Sequence, residues 1–448
     1  MPSPAAKVKR HESLTYVPFG RTGWKVSEVC GGTMTWGSFN DKEEMAWEQL
    51  DRMVALGVNF IDTAELYPVA FNYGQTTERW IGNWLKKRVA EGKIQRGSLY
   101  IATKINPMGI GATLEGREKQ AHGYDDEILE HSCRASLERL QCGAIDLYQL
   151  HWPSRDTPVF GCASFYPEGK NRPMTFVDMG KGTGTDMADG GMSVFERQVK
   201  AVGKLIKQGL IKHWGLSNEN AYGITMFCLA ADKLGVPRPV SCQNDFSMLN
   251  RTYESDTWEA AYRFGVVGLP YGALAGGVLS GKYTSAKYAD PDRPLSACRM
   301  RVTPDFQPRY GMPVAMLAMD KYVALAEEYA VTPTELALAW AKQRQCNASI
   351  IIGSTTVRQV EECVNAFKLE LPDELMDRVD ALHEEFRSPT MYYCEKSVCM
   401  NAKFLGSDAW HASMPRPWSA MLKPPGALRA AVAAAVATLA VCVAMKNK

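Results

Sequence analysis

The chain has 448 residues, of which 46% are hydrophobic and 22% charged, a composition that is ordinary for a globular enzyme with a large core. Its 51 basic and 49 acidic side chains give a formal net charge of +2, which gives no indication of nucleic-acid binding. The first residues, MPSPAAKVKRHESL, contain no apolar run, so no secretory signal is expected. Twelve cysteines without a C-x-x-C pair predict reduced, buried thiols rather than disulfides or a zinc site.

Eight short apolar runs follow one another along the chain: VSEVCGG, VNFID, LYIATKI, IDLYQLH, IKHWGLS, PVSCQND, GVVGLPYG and ASIIIGS. Most are separated by stretches with helical periodicity, such as residues 125–140. Buried strands that alternate with helices favour a closed (β/α)₈ TIM barrel, an α/β fold, over an open sheet. Before the first run, LTYVPFGRTGWKVSEV predicts an N-terminal β-hairpin that turns at residues 21–23.

Two segments depart from a minimal barrel. Residues 154–191 follow the fourth strand and are rich in Gly, Pro and Asp, which predicts a long loop over the active face. We predict that the barrel spans residues 14–385, followed by an extension over 386–426 and an Ala/Val-rich tail over 427–448.

The tail contains 16 uncharged residues, 430–445, between Arg429 and Lys446. A spanning helix usually has about 20 apolar residues, and Val, Leu and Ala surround this one with no polar face. The run predicts a C-terminal membrane anchor, with the catalytic domain in the cytoplasm. The alternative is an Ala-rich helix packed on the barrel or on a partner.

Four polar residues stand at or just after the ends of successive predicted strands. Asp62 ends VNFID and Tyr67 follows it, Lys104 lies near the end of LYIATKI, and His151 ends IDLYQLH. Alone, each has an ordinary structural explanation as a cap, a packing residue or a solvated charge. Because the carboxyl ends of barrel strands share one face, the four together indicate a catalytic site.

These residue types suit proton transfer to a carbonyl oxygen. Reduction by hydride creates an alkoxide that needs a proton and a polarising donor. The pKa of a free tyrosine, near 10, is too high for easy proton exchange, so the Lys104 ammonium would assist Tyr67. Asp62 would hold and partly neutralise Lys104, and His151 would donate to the substrate oxygen.

Anion-binding signals lie after the last two strands, where barrels frequently bind phosphates. No G-x-G-x-x-G motif is present, so a Rossmann domain is not supported. YGALAGGVLSGKY contains Gly276 and Gly281, which would let the backbone approach a pyrophosphate, and Lys282, which could pair with it. Ser354 and Thr355 are predicted to begin a helix and to face an anion. The alternatives are a flexible loop and ordinary cap chemistry.

The segments FIDTAELY and DLYQLHWP, which contain three of these four residues, are similar to segments of the aldo-keto reductase family. The chain resembles that family from about residue 14 to about residue 385. LYPVAFNYGQTTERWIGNWL and TPVFGCASFYPEG are similar to a long-loop bacterial branch of that family, which also includes relatives that accompany potassium channels. The resemblance implies a barrel plugged by the hairpin, NADP as cofactor, and hydride transfer with a tyrosine acid–base.

The resemblance also implies cofactor-binding roles for Ser217, Asn218, Gln243, Tyr271, Leu274, Gly276, Gly281, Lys282, Ser354, Gln359 and Glu362. The first three would bind the nicotinamide amide, and Tyr271 would stack on the ring. The next adenosine-binding position, usually Asn, is Cys363, which lacks an amide's donor and acceptor pair. Gln359, with Arg358 beside it, stands where many relatives carry a basic residue. Trp36, in GGTMTWG, would form an apolar wall.

The function predicted from these features is NADP-dependent interconversion of an aldehyde or ketone, as a small-molecule substrate, and its alcohol, without a metal. An alternative is a redox-sensing, slowly turning over NADP-binding subunit of a membrane protein. A catalytically inactive scaffold is a third reading, and it conflicts with the complete set of four site residues.

Overall fold

A computed structural model describes most of the chain. The described residues are 7–68, 76–106, 124, 126–155, 157–161, 163, 165, 194–283, 287 and 307–391. Most of the predicted loop over 154–191, and the tail with its apolar run over 430–445, lie outside them. Within the described residues, no helix combines the length and the apolar character required to cross a bilayer.

The hairpin predicted near the N-terminus is present. A short strand β1 (Lys9–Arg10) precedes it, and β2 (Tyr16–Pro18) pairs antiparallel with β3 (Lys25–Ser27). Gly23, with φ of 75°, takes the left-handed conformation that the turn requires. Phe19 follows β2 and is fully buried, so the hairpin covers the bottom of the structure.

All eight predicted apolar runs contain a strand of one parallel sheet. The strands are β4 (Val29–Gly32), β5 (Phe60–Asp62), β6 (Tyr100–Ile105), β7 (Ile145–Leu150), β8 (Ile211–Ser217), β9 (Ser241–Gln243), β10 (Val267–Gly268) and β11 (Ile350–Gly353). They lie in the order β10-β9-β8-β7-β6-β5-β4-β11. Backbone bonds from Ala348 N to Gly268 O and from Ile351 N to Pro270 O, both 2.9 Å, join the two edges. The sheet therefore closes, which confirms the (β/α)₈ barrel.

Helices surround the barrel because each has an apolar face to bury. They are α1 (Glu43–Ala55), α2 (Thr76–Ala90), α3 (Asp126–Leu140), α4 (Val194–Lys207), α5 (Ala221–Leu234), α6 (Trp258–Phe264), α7 (Pro313–Glu328), α8 (Pro333–Gln343), α9 (Val357–Ala366) and α10 (Asp373–Glu385). The periodicity over residues 125–140 corresponds to α3, in which Ile128, Leu129 and Leu140 are buried and Leu137 is partly buried against the core. Thr332 and Glu335 form a capping box that begins α8.

The packed structure begins before residue 14, the predicted start of the barrel. β1 pairs antiparallel with β12 (Leu369–Glu370), a strand that the sequence pattern did not indicate. The pairing attaches the N-terminus to the segment between α9 and α10. Inside the barrel, Phe19 contacts Phe60 edge-on, with ring centroids 5.1 Å apart, and both belong to a small apolar cluster at the N-terminal ends of the strands. The opposite end is left for polar residues.

The described cysteines agree with the prediction of buried thiols. All seven (Cys30, Cys133, Cys142, Cys228, Cys242, Cys346 and Cys363) are buried and unbonded to one another. Burial raises the pKa of the Cys133 thiol to about 12, which keeps it protonated at neutral pH.

Candidate active site

Four predicted catalytic residues lie together at the C-terminal end of the barrel. The Lys104 ammonium donates to Asp62 Oδ2 at 2.6 Å, to the Thr63 carbonyl at 2.7 Å and to the Tyr67 hydroxyl oxygen at 3.3 Å. The rings of Tyr67 and His151 meet edge-on, with centroids 5.8 Å apart. The three N–H groups of the ammonium thus point at a carboxylate, a carbonyl and a phenol.

Backbone pairing beyond the end of β5 positions Tyr67. Thr63 N donates to Ala102 O at 2.9 Å and Glu65 N donates to Lys104 O at 3.1 Å, so the chain stays beside β6 for several residues past Asp62. A turn then follows, in which Tyr67 N donates to Ala64 O at 3.1 Å. This turn places a phenol five residues after the carboxylate over the same ammonium.

The second oxygen of Asp62 is held by two amides. Oδ1 accepts from Gln243 Nε2 at 2.9 Å and from Gln149 Nε2 at 3.1 Å, and Gln243 Nε2 also donates to Gln149 Oε1 at 3.1 Å. Gln149 is not among the residues predicted from the sequence, although its place within DLYQLH, two residues before His151, was a usable signal. Gln243, which is predicted to bind the nicotinamide, lines the cavity and also contacts Asp62.

The electrostatics keep a cation and a neutral imidazole side by side. Burial alone would lower the pKa of Lys104, but the charges of Asp62 and Tyr67 outweigh it and raise the pKa above the ordinary value of 10.5. Burial, reinforced by the Lys104 charge, lowers the pKa of His151 well below 6.5. His151 Nδ1 is buried and has no hydrogen-bond partner among the described residues. At neutral pH the site therefore contains an ammonium and an uncharged donor–acceptor ring.

A cavity of about 840 Å³ opens from this end of the barrel, and Asp62, Tyr67 and His151 line it. This volume is within the range of sites that bind cofactors or small molecules. Thr33, Met34 and Thr35 from the segment after β4 also line it. Trp36 does not, contrary to the expectation of an apolar wall: its indole N–H donates to Gln49 on α1 at 3.3 Å and the side chain is fully buried.

Most of the predicted cofactor-binding residues line the same cavity. They are Ser217, Asn218, Gln243, Tyr271, Leu274, Gly276, Lys282, Gln359 and Glu362. Ser354 and Gly281 are not among the described residues that form its wall. The Asn218 amide is engaged by the protein, because Nδ2 donates to His151 O at 2.8 Å and Oδ1 accepts from the Tyr271 hydroxyl at 2.7 Å. Asn218 therefore holds the Tyr271 side chain next to the predicted catalytic residue His151.

The turn after β10 brings backbone and a cation into the cavity. Gly276 and Gly277 have φ of 65° and 92°, values that side chains rarely adopt. A Cβ atom on Gly277 would lie 2.7 Å from the Lys282 ammonium, so the lysine side chain lies directly against this backbone. These residues suit an anionic group such as a pyrophosphate.

A buried cluster supports this wall from behind. Asp245 accepts from the Tyr310 hydroxyl at 2.8 Å and from Arg309 Nε at 3.2 Å. A Cβ atom on Gly272 would come within 2.5 Å of Asp245, so the backbone after Tyr271 packs directly on the cluster. The Tyr271 backbone is joined to the segment that contains Asp245, because Tyr271 N donates to Asn244 O and Phe246 N donates to Tyr271 O, both at 3.0 Å.

The end of the eighth barrel strand differs in detail from the prediction. The helix α9 begins at Val357, with Thr356 as its N-cap accepting from Gln359 N, rather than at Ser354 or Thr355. Ser354 is buried, and the Gln359 amide oxygen accepts from the Thr355 N–H at 2.9 Å. Ser354, Thr355 and Thr356 are all of a type that can cap a helix, so the sequence did not show which of them would do so. Thr356 is the N-cap because its backbone has the extended conformation that a cap requires.

Part of the predicted loop after β7 is anchored beside the site. The Arg155 guanidinium forms a bidentate ion pair with Glu219, at 2.6 and 2.8 Å, and Asn220 Nδ2 donates to Thr157 Oγ1 at 2.9 Å. Gly223 is close to this pair, since a Cβ there would clash with the Glu219 carboxylate. The start of the loop is thus attached to the N-terminus of α5. No group of three or more potential metal ligands occurs in the described part of the chain.

Comparisons with known proteins agree with this geometry. The sequence profile of the aldo/keto reductase family matches residues 28–384. Protein tas of Escherichia coli is 32% identical over 378 residues, covering 84% of this chain and 99% of its own length. An aldo-keto reductase of Babesia bovis is 32% identical over 59% of this chain and 88% of its own. The uncharacterized oxidoreductase YrpG of Bacillus subtilis is 27% identical over 81% and 94%. The chain therefore belongs to the aldo/keto reductase family and is an oxidoreductase.

Proposed function

We propose that the protein is an NADP-dependent oxidoreductase that interconverts an aldehyde or ketone and the corresponding alcohol, with Tyr67 as general acid and base. The observation that carries the proposal is the 3.3 Å contact between the Lys104 ammonium and the Tyr67 oxygen, beside a cavity that Tyr67 lines. A buried cation next to a phenol stabilises the phenolate that remains once the proton has left.

Each site residue then has a defined task in reduction. The Tyr67 hydroxyl gives its proton to the carbonyl oxygen, and Lys104 stabilises the phenolate. Asp62 keeps Lys104 in place, with Nζ and Oδ2 2.6 Å apart. His151, uncharged because its pKa is lowered by burial, donates an N–H to the substrate oxygen and orients it. When bound, NADPH supplies the hydride.

The residues of the cavity wall fit a dinucleotide phosphate. Tyr271 offers a flat aromatic face near Tyr67, and Lys282 supplies a cation beside the Gly276–Gly277 turn. At the other end, Arg358 and Glu362 line the cavity with their side chains 2.9 Å apart. The cations favour NADP, whose 2′-phosphate adds negative charge.

The direct test is Tyr67→Phe, assayed with a panel of aldehydes, ketones and quinones and with NADPH and NADH separately. We expect carbonyl reduction to fall by about 10²–10⁴-fold, the usual contribution of a general acid. NADPH binding, followed by its fluorescence, should be retained. Tyr322→Phe is a matched control, since Tyr322 is a buried tyrosine that donates to the Met248 carbonyl away from the site. Unchanged reduction by Tyr67→Phe would show that Tyr67 is not the acid.

The redox-sensing alternative is distinguished in the same assay by turnover. An enzyme exchanges NADP rapidly and completes many cycles, whereas a sensor subunit completes a single slow reduction and retains the nucleotide. The intact arrangement of Asp62, Tyr67, Lys104 and His151 opposes a catalytically inactive scaffold, and turnover separates the enzyme from the sensor.

A further inference from the structure

We propose that Gln149 is a positioning residue for the proposed reaction: it orients Asp62 and Gln243 and thereby strengthens the action of Lys104 on the Tyr67 proton. The inference rests on the proposed function and adds a residue to it. Gln149 is fully buried on β7 and does not line the cavity, so it acts through its neighbours.

Strand register places Gln149 where it can do this. β6 and β7 are parallel, and Lys104 and Gln149 are Cα partners in their ladder. Partners in neighbouring strands point to the same side of a sheet, so both side chains enter the barrel at one level. Asp62 lies on the other side of Lys104, at the end of β5, and its carboxylate reaches both side chains: Oδ2 at 2.6 Å from Lys104 and Oδ1 at 3.1 Å from Gln149.

The amide contacts change how strongly Asp62 neutralises Lys104. A carboxylate that accepts two N–H groups on Oδ1 has part of its charge stabilised there, away from the ammonium. Without the Gln149 N–H, Asp62 would offset the ammonium more fully. The phenolate of Tyr67 would then be less stabilised, although the 3.3 Å contact with Lys104 remained.

Gln149 also determines which end of the Gln243 amide faces the cavity. Gln243 Nε2 donates both to Asp62 Oδ1 and to Gln149 Oε1, at 2.9 and 3.1 Å, which uses both of its N–H groups. The Gln243 oxygen is therefore the end of the amide directed away from Asp62. One residue thus connects the carboxylate beside the proton donor with a side chain of the cavity wall.

The test uses Gln149→Met and Gln149→Glu in the full chain. Methionine has a similar length and volume but neither the donor nor the acceptor. A protonated carboxyl has one O–H donor and one carbonyl acceptor, the two functions that Gln149 uses here. Burial and the neighbouring Asp62 raise the pKa of such a group, against the opposite effect of Lys104. Gln49→Met is the matched control, because Gln49 is an equally buried glutamine that contacts Trp36 and the Met45 carbonyl on α1.

We expect Gln149→Met to lower kcat about tenfold, the effect of one hydrogen bond to a charged group. In alcohol oxidation, its pH profile should rise at higher pH than in the wild type. Besides Lys104 and its partner Asp62, the titratable groups beside Tyr67 are His151, whose ring meets it edge-on, and Tyr271. Burial lowers the pKa of His151 and raises the pKa of Tyr271, so both stay neutral and this shift would report on Tyr67.

Gln149→Glu should recover activity relative to Gln149→Met as the pH is lowered from about 9 to about 6. A merely structural role would lower the melting temperature of both variants without either pH effect.

The outcomes separate this inference from the proposed function. A wild type that reduces no carbonyl with NADPH contradicts the function itself. An active wild type, with Gln149→Met behaving like Gln49→Met in kcat and pH profile, overturns only the role of Gln149. If Gln149→Met does not fold, the Gln149→Glu profile decides: activity independent of pH relative to the wild type overturns the inference, and recovery in acid supports it.

Discussion

Two buried ion pairs lie on either side of β6, and they differ in what surrounds them. Asp62 and Lys104 face the barrel interior, with a phenol and two amides on the same network. Glu78 on α2 and Arg139 on α3 lie outside the barrel, 2.7 Å apart, and the remaining Glu78 oxygen accepts from Thr103 at 2.6 Å. Thr103 and Lys104 are consecutive on β6, and successive side chains of a strand point to opposite faces of the sheet. Thr103 therefore contacts the outer pair, and Lys104 belongs to the inner pair.

The difference shows that burial of a charge does not by itself indicate catalysis. For both cations, burial alone would lower the pKa, and in both the partner carboxylate raises it instead. Only the inner pair touches a titratable group that lines a cavity. The outer pair attaches two helices to the barrel. Loss of either partner leaves an uncompensated buried charge, so the stability costs should be similar while the catalytic costs differ.

The largest effect is expected for Lys104→Met. Activity should fall about a thousandfold, because the phenolate of Tyr67 loses its cation, and the free energy of unfolding should fall by about 3–5 kcal/mol, because Asp62 is left uncompensated. NADPH consumption and denaturant unfolding measure the two. Activity within tenfold of the wild type would contradict the catalytic role of the inner pair.

Arg139→Met is the matched outer variant. We expect a comparable loss of about 3–5 kcal/mol in the free energy of unfolding, since Glu78 remains buried. kcat of the folded protein should stay within about twofold, because the network of Asp62 and Tyr67 is untouched. A fall in kcat as large as that of Lys104→Met would mean that the outer pair also controls the site.

The inner network should also leave a signature in the pH dependence of stability. The pKa of His151 is well below 6.5 in the folded state, so between pH 6.5 and that lower value the unfolded chain binds a proton that the folded one does not. The contribution of His151 to the free energy of unfolding is therefore fully present above pH 6.5, and it is lost as the pH falls from 6.5 toward the folded-state pKa. His151→Gln should reduce the slope of unfolding free energy against pH below about 6.5 by up to about 1.4 kcal/mol per pH unit.

His213→Gln provides the comparison. His213 lies on β8 against Trp24 at the bottom of the barrel, and burial lowers its pKa as well. Its change in slope should have the same sign and be smaller, because it is less completely buried. A larger effect from His213 than from His151 would contradict the assignment of the inner network as the more desolvated region.

The smallest effect is expected at the exposed rim. Arg358 pairs with Glu362 one turn along α9, with both side chains about half exposed or more. Arg358→Ala should change the free energy of unfolding by less than about 1 kcal/mol. It should raise KM for NADPH several-fold and leave KM for NADH unchanged, since only NADP carries a 2′-phosphate. Arg263→Ala, which removes a similar exposed pair with Glu259 on α6, should change neither.

Several details could not be predicted from the sequence because each depends on a contact with another element of the structure. Gln149 lies two residues before His151, but no local pattern shows what it contacts, and its importance comes from Asp62, 87 positions away in the chain. Trp36 follows a strand just as a wall residue would, yet it turns toward Gln49 on α1. β12 has only two residues and is a strand because β1 happens to pair with it.

The sequence by itself determined the order of eight strands, the hairpin beneath them and the assembly of Asp62, Tyr67, Lys104 and His151. Apolar runs and turn residues are local properties, and parallel strands place their carboxyl ends on one face whatever the details of packing. Only the tertiary structure decided which groups donate hydrogen bonds to Asp62, which residue caps α9 and which residues line the cavity. Those outcomes depend on rotamers and on distances of a few ångströms between strands far apart in the chain, which no local pattern records.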